Sequence, residues 1–304
     1  MKRFLPLALA FLFSALLVPS HANAADPFPS KSVKVIVPFP PGGGADTLIR
    51  LIAPMTGDLW KQSVIIENRP GASGLIGADL VAQSPADGYT LLMGSTAAVT
   101  EKNVNQFAPV ALVSASPYVV TVNPALNVNS IKALIAYAKA NPGKVRYGSS
   151  GPGSASHLAG ELFSSMAGVT LLHVPYKGTG QALTDLLAGH IDLMFAPAQT
   201  VMPQIDTGKL IALAQTGSKR SEALPNMPTV SEAGLTGYSA VGWFGLFAPA
   251  NTPKPVVQKI NQTVMFVLGQ EKIRKGMLER GSDPASGSAE DFAAFLRVDQ
   301  AKWE

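Results

Sequence analysis

The chain holds few residues equipped for catalysis. Cysteine is absent, which removes thiolate nucleophiles, disulfides and cysteine-based metal sites from consideration. Three histidines lie beyond the first 24 residues: His157, His173 and His190. Ser154, Ser156 and His157 together suggest the nucleophile and base of an exported serine hydrolase. Near neighbours on one helix point in different directions, however, and no G-x-S-x-G elbow occurs. His157 therefore reads as a helix cap or a cleft-lining residue. His173 and His190 are too far apart in sequence for their spacing to suggest a metal site, and Asp185 and Asp192 read as structural carboxylates. Neither a metal nor a cofactor is expected.

Binding chemistry is better represented. "PFPPGGGAD" (38–46) and "GSSGPGS" (148–154) each place glycines between an apolar strand-like run and a helical pattern. Such turns leave backbone N–H groups at a helix N-terminus, where the free amides and the macrodipole favour an anion. One such turn could serve the backbone alone. Two in equivalent places suggest anion-facing jaws. The first would be formed by Phe39, Gly43, Gly44, Ala45 and Asp46, and the second by Ser149, Ser150, Gly153, Ser154 and His157. Gly44 is followed by Ala-Asp, not Lys-Ser/Thr, and "GGGADT" lacks a third spaced glycine, so neither a P-loop nor a dinucleotide fingerprint fits. With Arg50 and Arg146 the nearest arginines, neutral dipoles are expected to hold the anion.

These turns need an α/β scaffold, and the pattern supplies one. Strand-like runs at 33–39, 64–68 and 89–94 alternate with helical stretches, which predicts a mostly parallel sheet covered by helices. "PVALVSASPYVVTVNP" reads as two strands. The alternation then restarts: Ser130 is a plausible N-cap, and Gly168 and Gly189 read as helix stops. The segment from Trp243 onward returns the chain to the first unit.

Composition bounds the rest. Only 14% of residues are charged, and the formal charge of +4 falls to about +2 without Lys2 and Arg3, so no nucleic-acid partner is expected. Lys2 and Arg3 precede an apolar run shorter than the roughly 20 residues of a membrane span, and Ala22-Asn23-Ala24 fits a cleavage site. Residues 1–24 thus read as a signal peptide.

Seven stretches carry a resemblance: "VIVPFPPGGGAD", "IENRPGASGLIGAD", "SPADGYTLLMG", "FAPVALV", "YGSSGPGSASHLAGELF", "HVPYKGTGQALTDLLAGHIDLMF" and "MPTVSEAG". In this order they resemble the Bug-type periplasmic receptors of tripartite tricarboxylate transporters. The resemblance implies a two-domain Venus flytrap, with residues 25–120 plus 238–304 as domain 1 and 121–237 as an inserted domain 2. It implies periplasmic capture of a small organic acid (a di- or tricarboxylate, an aromatic carboxylate or an acidic amino acid) without catalysis. It also implies delivery to membrane permease subunits; a sensor docking to a membrane kinase is the alternative. Ser95, Thr96 and Tyr176 join the candidate ligand contacts on the matching motifs. The segment "STAAVTEKNVNQ" is shorter than in the family, and Ala196 stands where many relatives have Asp, a position expected to face the variable end of the ligand.

Overall fold

The structure, a computed structural model, describes residues 28–301. The expected signal peptide lies outside the described residues.

Apolar β-branched runs become strands and the glycine-led patterns become helices. The first lobe opens with β1 (Val33–Val37), α1 (Gly44–Trp60), β2 (Val64–Asn68), α2 (Leu75–Ala82) and β3 (Thr90–Ser95). β1 lies between β2 and β3 and runs parallel to both. Alternation along β1 explains the layering. Val33, Val35 and Val37 pack with α1 residues such as Leu48 and Ile52, whereas Ile36 joins Ala78 and Val81 of α2 on the other face.

β4 (Phe107–Val122) is one strand of 16 residues where the sequence suggests two. Pro109 and Pro117 look like breaks because proline donates no ladder hydrogen bond. Pro109 sits at a register irregularity and Pro117 ends the pairing with β9 (Val241–Pro249), so neither interrupts the strand. Beyond Pro117 the same strand pairs with β7 (Leu193–Pro197) and β8 (Ile211–Gln215). β4 thus runs from one lobe into the other, and β9 returns the chain between β3 and β4.

The second lobe holds α3 (Ile131–Ala140), β5 (Arg146–Ser149), α4 (Ala155–Ala167), β6 (Leu172–Pro175), α5 (Thr179–Ala188) and α6 (Ala198–Asp206). β5 pairs in parallel with β6 and β7, repeating the β2-β1-β3 arrangement. Among the described strands, parallel ladders are confined to these two triplets, and the crossing strands run antiparallel. Ser130 caps α3 by accepting from Ala133 N–H, and Gly168 and Gly189 end α4 and α5 in the left-handed region. α7 (Lys254–Leu268), α8 (Glu271–Leu278) and α9 (Ala289–Gln300) pack back on the first lobe, with Ile260, Ile273 and Phe292 in its core clusters. Ala196 is fully buried in an apolar cluster with Val119, Leu186 and Val201. Its β-carbon therefore faces packed side chains, which corrects the expectation that this position meets a ligand.

Gly160 in α4 gives a packing prediction. An added methyl would lie 2.4 Å from the ring of Tyr147, which is fully buried. Gly→Ala in a helix ordinarily stabilises by about 1 kcal/mol. Gly160→Ala is expected to destabilise by about 1–3 kcal/mol instead, read as a lower denaturation midpoint.

Candidate functional site

The β1–α1 turn exposes its tip and buries its support. Gly42 has φ +82°, a left-handed conformation that favours glycine. A methyl on Gly44 would stand 3.0 Å from the Phe244 ring of β9. Gly43 is different: as N-cap of α1 it has φ −73° and ψ 170°, and a β-carbon there would meet only Pro40 O at 3.5 Å. Neither backbone nor packing demands glycine at Gly43. No side chain caps α1, so its first amides have no internal acceptor, although Ala45 and Asp46 are themselves buried.

Asp46 holds this turn from behind. It is 3% exposed, and its carboxylate accepts from Gly42 N–H (2.9 Å), Arg50 Nε (2.9 Å) and Asn68 Nδ2 (3.0 Å). Burial alone would raise its pKa, but hydrogen bonds from Arg50, Gly42 and Asn68 outweigh it, so the carboxyl lies below the ordinary range. Asn68 Nδ2 also donates to Phe39 O at 3.0 Å, tying the end of β2 to the turn. The Asp46 side chain is therefore a support, and only the backbone amide of this residue is left to meet a ligand. The Ala45 side chain is likewise buried in the first-lobe core, leaving only its backbone at the turn. Phe39 is half-buried against that core, and its ring would lie 3.3 Å from a methyl on Gly74. Ser95 is buried at the end of β3, where its carbonyl accepts from Ala98 and Val99 N–H, while Thr96 is partly exposed.

The β5–α4 turn is built on another principle, and the expectation that its amides stay uncovered needs correction. Ser150 N–H donates to Ser156 Oγ (3.0 Å), Gly151 N–H to Ser149 Oγ (3.1 Å), and Gly153 N–H to His157 Nδ1 (3.2 Å). Ser154 Oγ donates to Gly151 O at 2.6 Å and accepts from His157 N–H, capping α4. Serine side chains compete for local backbone donors, and four serines in eight residues consume those that the glycines would release. Ser149 is fully buried and Ser154 nearly so, whereas Ser150 is partly exposed and Gly153 is exposed. This jaw presents a hydroxyl and a glycine surface.

Tyr176 borders the same turn. Its N–H donates to Ser149 O (3.1 Å) and its hydroxyl to Asp185 Oδ2 (2.6 Å); burial, then Asp185, pushes the phenol up to about 12. Asp192 takes Arg146 in a two-pronged ion pair, with Nε at 3.0 Å and Nη2 at 2.7 Å. Both carboxylates thus have structural partners, as the sequence suggested. Among the described residues, no cluster of three or more His, Cys, Asp or Glu could hold a metal ion.

A hydrolytic arrangement does not emerge. Ser154 contacts the backbone N–H of His157, not its ring. Ser149 Oγ does lie 2.7 Å from His173 Nε2, but Ser149 is fully buried and out of reach of a substrate.

Sequence reasoning missed Gln199 and Phe244. Both lie against Gly44, where a methyl would stand 3.6 Å from Gln199 Nε2 of α6. The tip of α1 thus approaches the second lobe. Nothing in the local sequence marks either residue, because the approach joins segments more than 150 positions apart.

Comparison with known proteins gives consistent relatives. Residues 48–304 match the family model for the tripartite tricarboxylate transporter family receptor. The chain is 34% identical to Protein BugT of Bordetella pertussis over 308 residues, covering 98% of this chain and 94% of that protein. It is similar to R. palustris Rpa4515 solved with adipate: TM-score 0.82, 36% identity, 91% of this chain and 96% of that one. MatC of Rhodopseudomonas palustris with bound malate gives TM-score 0.79 and 30% identity, with 91% and 99% coverage.

Proposed function

The chain belongs to the tripartite tricarboxylate transporter receptor family, a family of solute-binding proteins and not of enzymes, and from that premise we propose that it captures a small organic acid between its two glycine-rich turns. In this reading the protein works in the periplasm after loss of residues 1–24 and delivers its solute to the membrane subunits of such a transporter. The lobes divide near residues 120 and 238.

Gly43 carries the argument. A residue free to be Ser, Asp or Asn, each at least as good an N-cap, leaves α1 without a side-chain cap. The choice keeps the amides of Gly44, Ala45 and Asp46 for an anionic guest, with Ser150 and Gly153 facing from the other lobe. Arg50 and Arg146 are committed to Asp46 and Asp192, so neutral donors hold the carboxylate. Hydrogen bonds to a charged group contribute roughly 1.5–3 kcal/mol each, and four or five, offset by ordering costs, suffice for the about −8 kcal/mol of a micromolar complex.

Native mass spectrometry of freshly purified protein, followed by denaturation, is expected to release an intact organic acid. Calorimetric titration with adipate, malate and aromatic carboxylates then ranks the classes. Binding should close the lobes and lower the radius of gyration in solution scattering. A saturated sample of unchanged radius would remove closure from the mechanism, and turnover of the acid would overturn the receptor reading.

A further inference from the structure

Behind the second turn lies a stack of rings that capture itself does not require. His157 of α4 and His173 of β6 have ring centroids 4.3 Å apart, and His173 stacks on Tyr147 of β5 at 4.9 Å. The Tyr147 hydroxyl donates to Glu161, one helical turn beyond His157. Glu161 Oε1 also lies 3.9 Å from His157 Nε2. The charged and titratable groups facing the pair are thus Glu161 from α4 and Tyr147 from β5.

Each histidine reaches a different end of the turn. His173 Nε2 meets Ser149 Oγ at 2.7 Å, and that hydroxyl in turn accepts from Gly151 N–H. His157 Nδ1 accepts from Gly153 N–H at 3.2 Å. Gly151 and Gly153 have φ of +121° and +74°; glycine reaches many such conformations at no steric cost, and the side chain-to-backbone bonds select these among them. We propose that His157 and His173 are positioning residues for ligand capture, setting through Gly153 N–H and Ser149 Oγ the shape in which Ser150 and Gly153 meet the bound acid. This rests on the capture reading above.

The atoms used differ, which yields a reciprocal test. The Oδ1 of asparagine can stand in for Nδ1 of histidine, and the glutamine amide for Nε2. His157→Asn should therefore keep the Gly153 bond while His157→Gln and His157→Ala lose it. At His173 the order reverses: Gln retains the Ser149 contact, whereas Asn and Ala do not.

Two readouts on the full mature protein separate the possibilities. Without ligand, amide exchange by NMR should accelerate at least about tenfold at Gly153 in His157→Ala, and at Gly151 in His173→Ala. With adipate as probe, both alanine variants should lose about tenfold in affinity, and only the matching amide variant at each site should recover it. Unchanged exchange at both glycines, or equal behaviour of Asn and Gln at either site, overturns the proposal. So does affinity that merely tracks melting temperature across all six variants. A wild type that ignores every acid tested would count against the capture reading, while the exchange data would still decide the positioning role.

Discussion

Gly43→Asp is expected to reduce affinity for the captured acid by about 10²–10³-fold while leaving the melting temperature unchanged or slightly raised. Position 43 is the N-cap of α1, its backbone is extended, and space for a β-carbon is open. Aspartate is among the favoured N-caps, because its carboxylate accepts from the second or third amide of the helix. That carboxylate would occupy the donors assigned to the ligand and repel it as well. Two like charges about 4 Å apart at an effective dielectric near 20 repel by roughly 4 kcal/mol, which sets the scale of the loss. Gly43→Asn caps without the charge and should lose about tenfold. Ala45→Asp looks equivalent in the sequence but is not, because the Ala45 side chain lies in the core. Calorimetric titration and melting curves on all three variants decide the matter. Normal binding by Gly43→Asp would show that the α1 terminus is not the anion site.

Asp46→Ala is expected to cost about 3 kcal/mol of stability. It removes one acceptor group that serves Gly42, Arg50 and Asn68 together. Hydrogen bonds to a charged group contribute about 1.5–3 kcal/mol each; Arg50 is half-exposed and is solvated after the change, so the loss rests on Gly42 N–H and Asn68 Nδ2. At roughly 2–4 °C per kcal/mol the midpoint should fall by about 6–12 °C. The pH dependence follows from the depressed folded pKa. The unfolded carboxyl binds its proton first as pH falls, so the stabilisation is complete above the unfolded value near 3.8 and lost as pH drops through the lower folded value. Thermal melts from neutral pH down to about pH 3 should show a shallower acid decline in Asp46→Asn than in the wild type. Parallel declines would mean that Asp46 does not supply this term.

Local sequence determined much of this protein. Short β-branched apolar runs placed β1, β2 and β3, Ser130 marked the start of α3, and Gly168 and Gly189 marked the ends of α4 and α5, because such runs and caps are decided within a few residues. The glycine-rich turns were visible for the same reason, as were the structural roles of Asp185 and Asp192. What each turn does with its amides was not visible. At 42–46 the supports include Asn68 and Phe244, brought in by strand pairing, whereas at 148–154 the amides go to Ser149, Ser156 and His157, near neighbours whose side-chain directions spacing alone does not give. Whether a side chain at Ala45, Ala196 or Ser149 faces core or cleft also depends on packing that local spacing does not encode. β4 shows the same limit: Pro117 reads as a stop until β7, β8 and β9 supply partners on either side of it. Sequence fixes conformations governed by near neighbours. Burial, and the hydrogen bonds that join distant segments, are settled only when those segments compete for the same donors and the same space.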